Sequence, residues 1–250
     1  CEVKSQGKTP VVTAIGIAPT PEGAVDGSGI YNPEAVAASL KALIAQSGAT
    51  AKDAVVSIAG DRSISVRTLE IPRQSPEELA QYMPWEMENN NPFSEPPVNS
   101  YAPLPDLDPN SPNMQVVLAI APQRAVDDVV TSVRKAGKMP LAIDIQPLGI
   151  ARALEANYGE DLAGRTVLSV DLGAKTTTIN IFYGSRLLVP RQQLPLGGDF
   201  LTKAIADGFA LPLPDAEALK RQIVIPESAM VAPVAANPFD VAYNPFGDAG

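Results

Sequence analysis

Apolar residues recur along this chain in two alternating periods, one suited to strands and one to helices. Residues 10–17 (PVVTAIGI) form a short apolar run that predicts a strand, and the Gly/Pro-rich stretch 18–30 predicts a turn. Asn32-Pro33-Glu34 has the three parts of a helix start: a capping side chain, proline at the first helical position and an acid near the positive end. Val36, Leu40, Leu43 and Ile44 then fall on one helical stripe, which Gly48 terminates. The strand pattern returns over 54–59 and 64–71, where Ile64, Val66 and Thr68 alternate with Ser65, Arg67 and Leu69. Ser75-Pro76-Glu77-Glu78 carries capping-box spacing and opens a helix bearing Leu79, Tyr82, Met83 and Trp85. Pro84 predicts a kink or break inside that helix, because it removes a hydrogen bond at a cost of about 3 kcal/mol.

Residues 89–113, rich in Pro, Asn and Asp, read as a long loop. Strand 115–121, helix 122–136 ended by Gly137, strand 141–145 and helix 147–157 follow. Strands 166–171, 176–183 and 186–194 then form a meander, with Pro190 marking an edge or bulge. A helix over 199–209 and a last one from Asp215 to about 223 complete the pattern. Residues 224–250 show no period and read as a mobile tail or a truncated continuation. Strands and helices alternate from end to end, so the class is α/β.

Composition narrows the chemistry. The chain has no histidine, and Cys1 is its one cysteine, which excludes Ser-His and Cys-His pairs, ordinary zinc sites and internal disulfides. Chemistry must therefore come from carboxylates, hydroxyls, Lys, Arg, backbone amides or a borrowed metal. A net charge of −9 argues against a nucleic-acid groove or a polybasic membrane patch. No apolar run approaches the roughly 20 residues that span a bilayer. The N-terminus lacks the apolar core of a signal peptide and an initiator Met. The expectation is a cytoplasmic chain that begins inside a larger protein.

The stretch SVDLGAKTTTIN, 169–180, sets a carboxylate, a glycine and three threonines at a strand tip. Asp171 could hold hydrated Mg²⁺, and Gly173, Thr176 and Thr177 could face phosphate. A hairpin with a polar turn is the alternative. Further on, Gly197-Gly198 precedes Asp199 at a helix start, where free amides favour anions or sugar hydroxyls. Glu217 and Lys220, three apart on a helix, could embrace a ribose or base edge, or form a surface salt bridge worth about 0.3–0.5 kcal/mol.

The order DLGAKTTT, PLGGDFLTKAIA, AEALK resembles the actin/Hsp70-type nucleotide-binding fold in its FtsA-like branch. LEIPRQSPEELAQYMPWEMENNNPFSEPPVNSYAPL is similar to the type IV pilus assembly protein PilM family, in which such a run leads into an extended strand. VVLAIAPQRAVDDVVTSVRKAGKMPLAIDIQPLGIARAL is similar to that family's next segment, with its D-x-x-P-x-A/G-x-x-R-A-L pattern. The resemblance implies a phosphate loop at Asp171, Gly173, Ala174, Thr176 and Thr177, with Asp171 reaching Mg²⁺ through water. It places Gly197, Gly198 and Asp199 near the nucleotide and Glu217 and Lys220 near the adenosine of ATP. It implies part of a first actin-like subdomain over 1–51 and an inserted strand-helix-strand-strand (SHS2) subdomain over 52–143. A return to the first subdomain and the start of a second follow over 144–223, with 224–250 as tail.

As partner the resemblance implies the cytoplasmic N-terminal peptide of a PilN-like protein, bound between the inserted and first subdomains. It implies a scaffold peripheral to the inner membrane, among other platform proteins of a type IV or transformation pilus, with twitching motility or natural transformation as the process served. The family's first phosphate loop and its last Gly-rich adenine loop have no counterpart here. ATP binding by this chain alone is therefore expected to be weak even where the full protein binds ATP. Competing readings are a GspL-like secretion-platform protein, an FtsA-like filament former, and an ATP hydrolase or kinase, which would need a second carboxylate base. Trp85 and Phe93 read either as a partner anchor or as subdomain packing. The tripeptide Asn-Pro-Phe, starting at Asn91, Asn237 and Asn244, reads as a docking motif or a turn former.

Overall fold

The structure, a computed structural model, describes residues 1–7, 9–58, 63–104, 106, 108, 110–184 and 186–224. The last two Asn-Pro-Phe copies and nearly all of the expected tail lie outside them. The chain divides into two compact units, Cys1–Pro195 and Leu196–Gly250.

The first unit opens with an antiparallel pair, β1 (Glu2–Gln6) and β2 (Thr9–Ala14), of which the apolar pattern had marked only the second. Within the expected turn a two-residue ribbon forms, β3 (Val25–Asp26) with β4 (Gly29–Ile30). Helix α1 (Pro33–Ser47) starts where its cap demands: Asn32 Oδ1 accepts from Ala35 N at 3.0 Å. It ends at Gly48, whose φ of 70° is left-handed backbone that glycine adopts without strain.

Strand β5 (Asp53–Ile58) leads into β6 (Ser65–Pro72), helix α2 (Pro76–Asn89), β7 (Pro97–Pro103) and β8 (Asn113–Pro122). Strands β6, β8 and β7 make one antiparallel sheet in that spatial order. Two expectations are corrected in this segment, the unstructured loop and a break of the helix at Pro84. The stretch read as a loop contains β7, a strand bracketed by prolines. Among the described residues it pairs only with β8, and an edge tolerates residues that cannot donate to a ladder. Helix α2 also runs unbroken through Pro84. Pro84 and Ala80, whose carbonyl loses its partner, both occupy exposed positions, so the loss falls on the water side. The complete capping box of Ser75 and Glu78 and the buried Leu79 and Met83 hold the helix in place.

After β8 come α3 (Gln123–Lys135), β9 (Met139–Ile145), which pairs in parallel with β5, and α4 (Gln146–Leu162), longer than its pattern suggested. The meander of β10 (Thr166–Leu172), β11 (Thr177–Tyr183) and β12 (Arg186–Leu194) closes the unit. The second unit contains α5 (Gly198–Phe209) and α6 (Leu213–Gln222). Among the described residues no helix is long and apolar enough to cross a membrane.

Strand β8 explains how the β6–β8–β7 sheet is held. Val116, Leu118 and Ile120 point into a cluster with Ile71, Leu79 and Met83 beneath α2. Val117 and Ala121 point the other way, into a cluster with Ile58, Ile64, Ala125, Ile145, Phe182 and Leu187. A strand covered on both faces is apolar at successive positions rather than alternate ones, hence the run VVLAIA. Each buried Val, Leu, Ile, Met or Phe among them contributes about 1.5–3 kcal/mol by leaving water.

Candidate functional site

The face of β8 turned away from α2 borders an apolar groove of about 180 Å³. Its walls come from β8 (Val117, Ala119, Ala121), the edge strand β7 (Val98 to Ala102) and the β9–α4 junction (Ile143, Leu148). The register explains the composition, because Val98, Ser100 and Ala102 stand opposite Ala121, Ala119 and Val117 and share their face. Small residues at Ser100, Ala102, Ala119 and Ala121 leave the space that larger ones would fill.

One acid, Asp144, lies at the groove's rim. Its Oδ1 accepts from Ile145 N at 2.8 Å, and Oδ2 pairs with Arg152 in the second turn of α4. Pro147 is buried in the first turn of the helix. The pattern D-x-x-P…R is thus the fastening of α4 to β9, which fixes the floor of the groove.

Two residues beyond Asp144, Gln146 Nε2 donates to Asp171 Oδ2 at 2.9 Å. Asp171 is exposed at the end of β10, as the motif required, and its other oxygen is engaged by nothing among the described residues. Gly173 N donates to Thr176 O at 2.9 Å, closing the turn. A Cβ on Gly173 would sit 2.8 Å from that same carbonyl, so the turn itself requires glycine. Ala174 is exposed, Thr176 half-buried and Thr177 buried within the β10–β11–β12 sheet. The hairpin therefore brings Asp171, Gly173, Ala174, Thr176 and Thr177 to one tip, with Asp171 and Ala174 open to solvent.

The other five candidates belong to the second unit. Gly197 caps α5, Gly198 begins it, and Asp199 is exposed in its first turn. Lys220 Nζ donates to Glu217 Oε2 at 2.5 Å, to Thr202 Oγ1 at 2.8 Å and to Gly198 O at 3.1 Å. Thr202 Oγ1 donates to Glu217 Oε2 at 2.5 Å, and Arg221 Nε to Glu217 Oε1 at 3.0 Å. Hydrogen bonds from Lys220, Thr202 and Arg221 lower the Glu217 carboxyl to about 2. The pair that could embrace a ribose thus ties α6 to the start of α5.

Sequence reasoning missed the groove, whose walls include β7, and missed Gln146. The signal for β7 was the alternation of Val98, Ser100 and Ala102 with Asn99 and Tyr101, hidden between prolines. The aromatic pair also divides. Phe93 packs against the cluster beneath α2, whereas Trp85 is 58 % exposed. At the first Asn-Pro-Phe copy, Asn91 Oδ1 accepts from Phe93 N at 3.0 Å, the bond of a turn former.

The family model described as type IV pilus assembly protein PilM matches residues 1–240. A chain of the solved PilM-PilN type IV pilus biogenesis complex is similar at 30% identity and a TM-score of 0.76. That match covers 88% of this chain and 65% of the other, so this chain spans just under two thirds of that relative's length. The ethanolamine utilization protein EutJ from Carboxydothermus hydrogenoformans matches at 26% identity over 40% of this chain and 33% of its own, with a TM-score of 0.32. A Bacteroides thetaiotaomicron protein with an actin-like ATPase fold and unknown function matches at 12% identity over 70% and 63%, at 0.33. These two are too distant to bear on the fold. The α/β class expected from the alternating pattern stands, and the fold is similar to that of the PilM-PilN complex chain. With a match over nearly its whole length, the chain belongs to the type IV pilus assembly protein PilM family.

Proposed function

We propose that this chain is a platform component of type IV pilus assembly that holds the N-terminal peptide of a PilN-like protein in the groove beside β7. The observation that carries this reading is the groove itself: apolar walls, an edge strand and one rim acid. Such a trench suits an extended segment with apolar side chains, laid along the edge strand β7. The relative seen in a PilM-PilN complex supports a partner of that kind. The scaffold would then work at the cytoplasmic face of the inner membrane, held there by its partner.

ATP with Mg²⁺ is part of the proposal for the longer protein. The open oxygen of Asp171 fits a water of hydrated magnesium, and the exposed turn at Gly173 and Ala174 fits a phosphate. Bound nucleotide would supply charge at the tip, and Gln146 would hold the Asp171 carboxylate toward it. The Glu217–Lys220 pair fits less well, since its charges already serve the α5–α6 join.

Calorimetric titration of a synthetic PilN-type N-terminal peptide tests the proposal. Saturable binding at micromolar concentration is expected, with Ala119→Trp abolishing it because the indole fills the trench. Equal binding by Ala119→Trp, or none by the parent, rejects the groove as the site.

A further inference from the structure

The pairing of β7 with β8 determines what the outer edge of β7 can bond. Leu104 N donates to Gln115 O and Gln123 N donates to Pro96 O, each at 2.8 Å. These two bonds extend the β7–β8 register by one pair at opposite ends of the strand. Bonded pairs alternate along an antiparallel ladder, so Val98, Ser100 and Ala102 turn their amides and carbonyls toward β8. Pro97, Asn99, Tyr101 and Pro103 turn theirs outward. Proline thus sits at the two end positions whose nitrogen points away from the ladder, where a missing N–H costs the sheet nothing. The outward edge offers four carbonyls but only two amides, those of Asn99 and Tyr101. Among the described residues β7 has no second neighbour in the sheet.

This edge borders the trench. Asn99 and Tyr101 line it although their side chains belong to the sheet's other face, where Tyr101 packs against the cluster beneath α2. Their main chain is therefore what the trench meets. On the trench face the opposed pairs run Val98–Ala121, Ser100–Ala119 and Ala102–Val117, of which the middle pair is the smallest. A residue set opposite Ser100 on an added strand would share that face and enter the widest point.

We propose that the segment held in the trench is added to β7 as a strand, bonded to the main chain of Asn99 and Tyr101 and stopped by Pro97 and Pro103. This mode rests on the trench being the peptide site. Main-chain bonds then supply affinity, and space for alternate side chains supplies specificity. The prolines fix one register, because a slip of two residues would set a partner carbonyl opposite a nitrogen that cannot donate. The side chain opposite Ser100 should be the bulkiest apolar one. Prolines at both ends also guard the edge against pairing with another copy of itself. A second β7 would bring only Val98, Ser100 and Ala102 to the trench face, which fill it less well than larger apolar residues.

Calorimetric titration of a synthetic PilN-type N-terminal peptide, its backbone amides N-methylated one at a time, tests the strand. Methylation should weaken binding roughly 10-fold at every second position of the segment in the trench, the order of a lost hydrogen bond whose acceptor stays unpaired. The positions between, whose amides point away from β7, should bind nearly as the parent does. Asn99→Pro removes one of the two outward amides without touching the β7–β8 ladder. Its urea midpoint should stay close to the parent's while peptide affinity falls roughly 2- to 12-fold, the range of one net hydrogen bond. If Ala119→Trp abolishes binding but every methylated peptide binds as tightly as the parent, the trench is the site and strand addition is wrong. If the parent peptide does not bind, the trench is not the peptide site and strand addition falls with it. A concentration-dependent dimer that Asn99→Pro abolishes and the peptide leaves intact would also overturn the proposal, by placing a second copy on the edge.

Discussion

The trench beside β7 and the tip of the β10–β11 hairpin make an instructive pair. The tip carries the residue types that advertise chemistry, yet much of its motif serves its own geometry. Gly173 is there because the Thr176 carbonyl leaves no room for a Cβ, and Thr177 is packed into the sheet. The trench carries almost no advertised chemistry. It is made of Ala, Val, Ile and Ser brought together by three elements distant in sequence. A motif names a fold by the types it contains, whereas a groove exists only through juxtaposition. Asp144 to Gln146 joins the two regions, since Asp144 lies on the trench rim and Gln146 holds Asp171 at the tip.

The largest effect that would break this contrast lies beneath the trench. Leu118, 1 % exposed, fills the cluster under α2, and Leu118→Ala should cost about 2–5 kcal/mol in urea denaturation. Loss of that support should also weaken the groove peptide, because β8 forms one of the walls. If peptide affinity stays unchanged while stability falls, the trench is independent of the layer that frames it.

At the tip, Gly173→Ala should cost on the order of 1–3 kcal/mol, the usual penalty for forcing a methyl into filled space. Its Cβ would meet the Thr176 carbonyl oxygen at 2.8 Å. The groove peptide should bind this variant normally. A variant as stable as the parent would show that the glycine is required for a ligand rather than for the turn.

Legibility followed the same divide. Helices α1 and α2 were readable because their starts are written in side chains, Asn32 and the Ser75–Glu78 box. Strand β7 was not, since its prolines are ordinary loop markers and only its edge position makes them tolerable. Pro84 misled for a related reason, because its cost depends on which side of the helix meets water. The candidate nucleotide residues were found by type and order. What they touch was invisible, as with Gln146 on Asp171 or Thr202 between Glu217 and Lys220.

The smallest effect concerns that last pair. Lys220, Thr202 and Arg221 lower the Glu217 carboxyl from 4.5 to about 2, so its folded form holds the proton less tightly than the unfolded chain does. The sign follows: the pair's stabilisation is complete above about pH 4.5 and disappears as pH falls toward 2. Carboxyl-detected NMR of Glu217 should therefore show an unprotonated side chain at pH 3.5. In Glu217→Gln, acid unfolding over that interval should become shallower by a modest amount, since the groups are partly in water. A Glu217 that titrates near 4.5 would mean that the ion pair to Lys220 is not maintained. Both charges would then be available to a ribose, and the helix hairpin would regain the ligand-facing role that its internal bonds now argue against.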